Sequence, residues 1–591
     1  MSPSEAGALA RSPGAGPDKA GPGADRSSRL WRGTGEQALF AFLVLFVGLI
    51  AVLPLARLLW EAVAPGGTPS LATIEEVLAR RSTWRATWHS IEVSLGGTVI
   101  SLLLGSFFAF LVALTDIRGK AALVFCFMLP MMIPPQVTAL SWIQVFGPSS
   151  SLLNMLGLAP PLGTPHPLYS REGIILLLGI QHAPLVFLAL RAGLRAMPKE
   201  MVEAARASGA SGRQVFQTIV LPLMMPSLVA GTALAFISAV GNFGIPAMLG
   251  IPARYSVLPT LIYQRLSDFG PDIISQIAVL SVLVSVIAAA GFGLQAWLLR
   301  RRDYRTIGAP SQPLFYELGS RRRLVQALCW MIIVFILVLP LAALLAASLV
   351  KAYGLSLSPE TFTLRHYADA VLSHDATARG FVNSFMLAGA TAVLLIALAV
   401  PLAYFIVWRR TALLRVLNGL AELPYALPGA VLAIAAILVF LKPIPLLGVS
   451  LYGTLWIIFA AYLARFLTLG LRPVISGFYQ LDRTLEEAAQ MAGAGFFRRL
   501  ATIVLPLTAP VAAAGGLLVF LTAFNEIQVS ALLTSSGAET IGVIIFFLDE
   551  SGSSSMASAV AVMVVAVVLG LMLLAGSLAK RLPRGVLPWE A

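Results

Sequence analysis

Five polar or charged residues interrupt the long apolar runs of this 591-residue chain, and they are the first candidates for chemistry. They are Asn242, Glu422, Arg465, Asn525 and Glu526. A charged side chain at membrane depth is costly, so it is kept where it lines a pathway, relays protons or pairs with another helix. Two interpretations stay open: an ion pair among Glu422, Arg465 and Glu526 that ties helices together, or the lining of a translocation pathway.

Residue patterns typical of catalysis are missing from the sequence. No G-x-x-x-x-G-K-[ST] segment occurs, so we do not expect this chain to hold a nucleotide. The five histidines share no spacing with Cys, Asp or Glu that indicates a metal site, and we expect His182 to be packed and hydrogen-bonded. The sequence therefore predicts a protein that is not an enzyme and has no cofactor or metal of its own.

The elements that must position these residues are membrane helices. Hydrophobic residues make up 58% of the chain and charged residues only 12%. The apolar runs are about twenty residues long, enough to cross a hydrocarbon core of about 30 Å. About twelve runs occur, near 38–60, 91–114, 121–145, 173–190, 223–250, 275–299, 325–349, 384–407, 413–441, 451–471, 507–534 and 556–579. Because every backbone polar group must be satisfied within a spanning segment, we predict an all-α membrane protein.

A 24-residue motif occurs twice in the chain, 284 residues apart. The copies run over 203–226 and 487–510, and both follow E-A-A-x3-G-x9-I-x-L-P without a gap. Such a register indicates two homologous halves. The repeat continues outside the motif, since Ser90, Pro130 and Pro134 match Ser384, Pro424 and Pro428 at a spacing of 294.

The repeat sets the predicted organisation of the chain. We expect a disordered cytoplasmic tail over 1–37, a first half over 38–302, a linker over 303–324, a second half over 325–584 and a short tail over 585–591. Each half has six spans, so the two halves are parallel repeats related by an axis along the membrane normal.

Arg and Lys are concentrated in alternate connections, which is the positive-inside pattern. Both termini and both motif copies are therefore predicted to face the cytoplasm. The placement of Arg and Lys in these connections accounts for the net charge of +13. We therefore predict contact with lipid and no nucleic-acid partner.

Each motif copy predicts a helix, a turn and a second short helix. Glu203 and Glu487 open segments of good helix formers, where the helix dipole favours a carboxylate. Gly209 and Gly493 follow at positions suited to a helix end with positive φ. Further on, each copy carries a Leu-Pro pair where the next membrane helix can begin. These prolines are Pro222 and Pro506.

In these features the chain resembles the permease subunit of a bacterial ABC importer, with the type I permease fold and both halves fused in one chain. The resemblance covers residues 38 to 584 and is carried by the doubled motif. It implies that the motif loops dock on an ATPase. The coupling residues that it implies are Glu203, Ala204, Ala205, Gly209 and Pro222 in the first half, and Glu487, Ala488, Ala489, Gly493 and Pro506 in the second.

The resemblance also implies the partners and the location. ATP and Mg²⁺ would be bound by separate ATPase subunits, one copy on each loop, and a periplasmic binding protein would deliver the substrate. Such a permease lies in the bacterial inner membrane. The segment Asn242–Leu266 and the run from Glu422 to Gly429 are similar to the ferric iron branch of the family.

Several alternatives remain open on the sequence. Importers of this kind also serve thiamine, and related ones serve phosphonates and polyamines. An ion-gradient-driven secondary transporter would use Glu422 and Glu526 as proton sites, but the doubled loop would then have no purpose. A scaffold without transport would show no uptake phenotype on deletion.

Overall fold

The computed structural model describes residues 34–161, 163–268, 270, 272–300, 316–409, 411–444 and 448–579. Within these ranges ten helices are long and apolar enough to cross a membrane, and two bent helix pairs raise the number of spans to as many as twelve. The predicted all-α architecture is confirmed. Most of the predicted N-terminal tail (1–33), most of the linker (303–315) and the predicted C-terminal tail lie outside the described residues.

In the described part of the first half there are five long apolar helices, one bent helix pair and several short helices. Its helices are α1 Thr34–Val63, α2 Arg81–Leu114, α3 Lys120–Met132, α4 Pro135–Phe146, α5 Arg171–Arg195, α6 Lys199–Ala207, α7 Gly212–Val240, α8 Gly244–Gly250, α9 Leu258–Leu266 and α10 Ile273–Arg300. Helices α3 and α4 together form the third span, and Ala72–Ala79 and Ser151–Met155 are short helices in the connections.

The second half repeats this order. Its helices are α11 Gly319–Ser348, α12 Asp375–Arg409, α13 Ala412–Ala426, α14 Gly429–Phe440, α15 Leu455–Phe478, α16 Thr484–Met491, α17 Phe496–Phe524, α18 Ser530–Leu533, α19 Ile541–Glu550 and α20 Ser554–Ala579. Helices α13 and α14 form the ninth span. If each bent pair is counted as one span, each half has six spans, the number that the repeat predicts.

Two predicted spans are broken at the centre. The third span bends by 103° between α3 and α4, and the ninth bends by 108° between α13 and α14. Pro134 and Pro428 lie at these breaks with φ of −54° in both cases. The residue before each proline is extended, because a following proline disfavours the helical conformation. Apolar length predicted one span in each place and gave no sign of the bend.

The fifth and eleventh spans also end earlier than predicted. Helix α7 stops at Val240 and α17 stops at Phe524, about ten residues before the predicted ends. The short helices α8 and α18 follow each stop. The polar residues Asn242, Asn525 and Glu526 therefore lie in breaks between helices and not within straight spans.

Other prolines are accommodated by wide helical turns. Four π-helical turns each end two residues before a proline: Gly48–Val52, Phe216–Val220, Val334–Val338 and Leu500–Val504. Pro222 and Pro506 lie in the first α-helical turn after two of them. A proline lacks the N–H and crowds the carbonyl four residues back, and a wider turn relieves both. The second short helix expected in each motif is therefore continuous with the membrane helix.

Each half has a tightly packed core of three helices. In the first half these are α2, α5 and α7, and in the second α12, α15 and α17. A Cβ added to Gly105 on α2 would lie 2.5 Å from the carbonyl oxygen of Ala183 on α5. Glycine therefore allows the two backbones to approach closely, as is common between membrane helices.

The first helix of each half crosses to the other half. Helix α1 packs on α14, and α11 packs on α4. The last helices follow them, since α10 also packs on α14 and α20 on both α11 and α4. The two halves are therefore intertwined, and the arms of the two broken spans form the places where they meet.

The segments that precede α1 and α11 are also exchanged between the halves. Glu36 at the start of α1 forms an ion pair with Arg409 at the end of α12, and a Cβ at Gly35 would touch the ring of Phe497. The pair is well shielded, with side-chain exposures of 14% for Arg409 and 3% for Glu36. We call this contact latch 2, because it lies beside the second motif loop.

Latch 1 is the equivalent contact beside the first motif loop. The backbone N–H of Tyr316 donates to Leu114 O at 2.6 Å, and that of Leu318 donates to Asp116 at 3.0 Å. Arg322 pairs with Asp116 at 3.2 Å. The amide of Leu318 lowers the pKa of Asp116, and Arg322 adds to the effect.

The two latches carry opposite charges. In latch 1 the acid belongs to the core bundle and the base to the incoming segment, whereas in latch 2 the core bundle provides the base. If the two segments exchanged places, Glu36 would meet Asp116 and Arg322 would meet Arg409, and in both cases the charges have the same sign. The reversal therefore favours the crossed arrangement over one in which each segment folds back on its own half.

We predict that Glu36→Arg destabilises the protein strongly. The substitution places two cations together in a shielded site, and breaking a buried pair costs about 3–5 kcal/mol. The double variant Glu36→Arg/Arg409→Glu should recover most of the loss. Thermal unfolding in detergent would measure both effects.

The control for this prediction is Arg322→Glu in latch 1. The side chains of Arg322 and Asp116 are 34% and 27% exposed, so we expect the free energy of unfolding to fall by about 1 kcal/mol or less. Equal losses from the two single variants would contradict the difference in burial on which the prediction depends.

Candidate functional site

The two motif helices end in the same way. Gly209 follows α6 with φ of 82°, and Gly493 follows α16 with φ of 83°. The N–H of the residue after each glycine donates to a carbonyl five residues earlier, at 3.0 Å in both copies. This is the Schellman arrangement, which needs a residue with positive φ, so the conformation expected for both glycines is present.

The exposed faces of the motif loops also match. Glu203 and Ala204 are exposed on α6, and Glu487 and Ala488 are exposed on α16. The next alanine is half-buried in both copies. These are Ala205 and Ala489. The residue type and the burial thus agree position by position on the exposed face of the two loops.

The supports beneath these faces differ. In the first half, Val202 and Val215 are buried under the loop, and Phe110 packs edge-on against Phe216 with ring centroids 5.1 Å apart. This support is entirely apolar.

In the second half an ion pair occupies the equivalent positions. Arg499 donates through Nε to Glu486 at 2.7 Å, and both side chains are less than a tenth exposed. The hydroxyl of Tyr404, which replaces Phe110, donates to the same carboxylate at 3.2 Å. Arg499 also donates to the carbonyl of Ala494 at 2.8 Å, which ties the pair to the turn after Gly493.

Asn242 and Glu526 play equivalent structural roles after the breaks in the fifth and eleventh spans. Asn242 Oδ1 accepts from the N–H of Ile245 at 3.1 Å at the start of α8. Glu526 accepts from the N–H of Val529 at 2.8 Å and from that of Ser530 at 3.2 Å at the start of α18. Both side chains therefore satisfy backbone donors that the breaks expose.

Arg465 lies beside Glu526 in this central layer. Its Nε is 3.8 Å from Glu526 Oε1, and its Nη2 donates to Gln528 Oε1 at 2.7 Å. Gln528 also accepts from the N–H of Gly429, the first residue of α14, at 3.3 Å. In the first half, Gln181 takes the place of Arg465 and donates to the carbonyl of Ile133 at 3.1 Å.

The central layer joins the halves at two related points. Asn525 donates to the carbonyl of Met132 at 2.6 Å, across to the break of the third span. Gly241 lies against Pro428 at the break of the ninth span, where an added Cβ would be 3.2 Å from the proline Cα. The breaks of each half thus pack against the breaks of the other.

Glu422 does not belong to this layer. Its carboxylate pairs with Arg472 at 3.1 Å, and both side chains are more than a third exposed. The ion pair of three residues considered from the sequence is therefore two separate pairs. His182 donates through Nδ1 to the carbonyl of Leu178 at 2.8 Å and is buried, as predicted.

Sequence reasoning missed Glu486 and Arg499. Both carried a signal: at the repeat spacing of 284, both positions hold valine in the first half, so an acid and a base appear together. Gln528, which aligns with Gly244, is visible in the sequence as a polar residue near Glu526, but its bond to Arg465 is not. Among the described residues, no group of three His, Cys, Asp or Glu side chains is placed to hold a metal ion.

Two related bundles that present matching loops on one side are the architecture of a transporter whose halves are driven alike. The fold therefore defines a two-half membrane permease. The chain belongs to the family of binding-protein-dependent transport system inner membrane components, whose model matches it twice, over residues 101–304 and 395–586. It is thus a fused permease of an ABC importer, with one family domain in each half.

Relatives of known class agree with this assignment. A protein of Sinorhizobium fredii described as a probable ABC transporter permease is 27% identical over 535 residues, or 88% of this chain and 92% of the relative. A ferric transport system permease protein of Actinobacillus pleuropneumoniae is 25% identical over 542 residues, or 90% of this chain and 76% of the relative. The molybdenum transport system permease protein of Escherichia coli is 30% identical over 223 residues, or 37% of this chain and 93% of its own length.

We predict that the support of the second loop can be exchanged for that of the first. Glu486→Val alone leaves Arg499 buried without its partner, which should cost about 3–5 kcal/mol. The triple variant Tyr404→Phe/Glu486→Val/Arg499→Val reproduces the apolar support of the first half. It should recover most of the stability in thermal unfolding and protect the loop from proteolysis as the wild type does. A triple variant as unstable as Glu486→Val would show that the two supports are not equivalent.

Proposed function

We propose that this permease carries ferric iron from a periplasmic binding protein to the cytoplasm of a bacterium, across the inner membrane. Two copies of an ABC ATPase supply the energy by docking on the two motif loops, which together with both termini face the cytoplasm. The observation that carries this proposal is the agreement of the two loops in sequence, backbone conformation and exposed face.

Residues on each loop are suited to contact an ATPase. The coupling residues are Glu203, Ala204, Ala205, Gly209 and Pro222, and their equivalents Glu487, Ala488, Ala489, Gly493 and Pro506. Large apolar side chains beside them are exposed: Met201 by 43%, Leu485 by 51% and Met491 by 88%. Exposed apolar residues next to small alanines form a surface that a partner protein can cover closely.

Such a docked motor can act on both halves at once. The linker residue Tyr316 stacks under Arg206 of the first loop, with the guanidinium 4.7 Å from the ring centroid. The same segment leads directly into α11, which packs on the broken span of the first half. Movement of one loop is thereby passed to the first helix of the opposite half, which supports alternating access by rocking of the intertwined bundles.

The central layer is proposed as the closed part of the translocation pathway. Asn242, Arg465, Asn525 and Glu526 lie where the breaks of the two halves meet, and Arg465 and Glu526 neutralise each other there. Glu422 is proposed to line the cytoplasmic approach to this layer, and both it and Arg472 are exposed on the surface of the chain.

Ferric iron is favoured as the substrate by the relatives that span both halves. The ferric transport relative covers 90% of this chain, whereas the molybdenum relative covers 37%. The binding protein would provide the selective iron ligands, so the permease needs no tight iron site. Thiamine, phosphonate or polyamine import and an ion-gradient-driven mechanism gain no support from any observed contact.

We predict that Gly209→Val or Gly493→Val weakens ATPase binding without unfolding the bundle. No atom lies within 4 Å of an added Cβ at either glycine, but positive φ costs a branched residue about 1–2 kcal/mol. The helix end should shift, and recovery of the ATPase with tagged permease should fall by about tenfold.

The matched control for the glycine variants is Gly495→Ser. Gly495 has φ of −65°, has open space around it and is already serine in the first loop, at Ser211. This variant should bind the ATPase as the wild type does. Normal ATPase recovery with both valine variants would contradict the docking role of the loops.

Reconstitution in liposomes would test the whole proposal. We expect uptake of ferric iron that requires the binding protein, the ATPase and ATP, while a proton or sodium gradient alone should drive none. Uptake of molybdate in place of iron would contradict the substrate assignment, and uptake on a gradient without ATP would contradict the importer mechanism.

A further inference from the structure

Helix α4, the second arm of the broken third span, carries polar side chains that no neighbour satisfies. Both amide atoms of Gln136 and of Gln144, the hydroxyl of Thr138 and the indole N–H of Trp142 have no hydrogen-bond partner among the described residues. These side chains are at most 6% exposed, and the helix is covered on every side from Gln136 to Val145.

The equivalent arm of the second half is entirely apolar. Helix α14 reads G-A-V-L-A-I-A-A-I-L-V-F, and at the spacing of 294 its residues replace each of these four unsatisfied residues of α4 by an apolar one. The replacements are Ala430, Leu432, Ala436 and Leu438. Both arms are fully enclosed, so burial alone does not demand the polar residues of α4.

Unpaired polar groups in a membrane interior are costly and are kept for function. The comparison with the rest of the site strengthens this argument. Asn242, Gln528 and Glu526 all accept hydrogen bonds from backbone N–H groups at the breaks, and this capping role accounts for their presence. Gln136 and Gln144 cap nothing, so a structural reason for them is missing in this state of the protein.

The arm α4 lies where movement of the halves would expose it. The Gln136 amide sits between Gly244 of the first half and Gly542 of the second, and a Cβ at Gly542 would be 2.8 Å from Gln136 Nε2. Trp142 packs edge-on against Phe335 of α11, with ring centroids 5.3 Å apart. Separation of the halves along this contact would therefore uncover Gln136 and Trp142.

The arm also leads from the central layer toward the side opposite the motif loops. Gln136 is in its first turn, directly after the break at Pro134. Its far end meets the connection between α4 and α5, where His166 Nε2 is 3.1 Å from the carbonyl of Ile143. In the proposed orientation this is the periplasmic side, where the binding protein releases its cargo.

We propose that α4 alone provides the substrate-contacting surface of the periplasmic part of the pathway, through Gln136 and Gln144. This inference rests on the proposed function. Both residues offer an amide N–H and an amide oxygen and carry no charge, so they suit an ion that crosses inside a shell of oxygen ligands, such as water or an oxyanion. They contact that shell and not the bare ion, and the pathway is asymmetric although the fold is nearly symmetric.

The variants Gln136→Met and Gln144→Met test this inference in the reconstituted complex with binding protein and ATPase. Methionine keeps the length of the side chain and removes its hydrogen-bonding groups. We expect uptake of ferric iron to fall by about tenfold or more, whereas the melting temperature stays the same or rises because the unpaired amide is gone. ATPase recovery should be unchanged.

The matched control is Leu438→Met on α14, at the position equivalent to Gln144. It should leave both uptake and melting temperature at wild-type values. Normal uptake by both glutamine variants would overturn the inference. So would a lower melting temperature in step with lost uptake, because that result assigns the glutamines to packing.

Failure of the proposed substrate can be told apart from failure of this inference. If the wild-type complex moves molybdate and not iron, the substrate assignment falls, and the same variants are then measured on molybdate. A selective loss of molybdate uptake would still support α4 as the contact surface, and unchanged uptake would still overturn it.

Discussion

The structure depends on one constraint, which is that backbone polar groups exposed inside a membrane must find partners within the protein. The third and ninth spans are bent, the fifth and eleventh end in a break before a short helix, and each break frees N–H or carbonyl groups. Side chains from other elements satisfy them: Gln181 at Ile133, Asn525 at Met132, and Gln528 at Gly429. Because Asn525 reaches the opposite half, the same bonds that make the breaks tolerable also hold the halves together at the centre.

The first helices of the two halves, α1 and α11, cross to the opposite half and so also link the halves on the side of the motif loops. Each core bundle receives the leading segment of the other half, and the charges at Asp116 and Arg409 match only the correct segment. In a chain that contains both halves, the crossed and uncrossed arrangements compete during folding. Opposite charges at the two latches distinguish them, which two identical latches would not.

Much of this architecture was predictable from the sequence, and the failures have definite physical causes. Apolar length and the doubled motif predicted the spans, the two halves and the positive φ of Gly209 and Gly493. Apolar length could not predict the breaks, since Pro134 ends a helix whereas Pro130 lies inside one. What separates them is local: Pro134 is followed at once by Pro135, and neighbouring side chains satisfy the carbonyls released there. The sequence did suggest Glu526 as a partner of Arg465. It could not show that Arg465 also bonds Gln528 or that Glu422 pairs with Arg472, because these contacts depend on how the helices pack.

The two halves expose the same residues on their motif loops but support these loops with different residues. The exposed Glu-Ala-Ala face and the turn glycine are the same in both loops, yet one rests on Val202 and Val215 and the other on Glu486 and Arg499. Two supports of different chemistry beneath one unchanged surface imply that the surface itself is constrained, since packing alone would let it diverge with its support. The broken arms show the converse, with a common backbone shape and different side chains: α4 is polar where α14 is apolar. The proposed docking of one kind of motor on both loops would require them to be alike. The proposed passage of a single ion between the halves would bring it against different atoms of each half, and would place no such requirement on the arms.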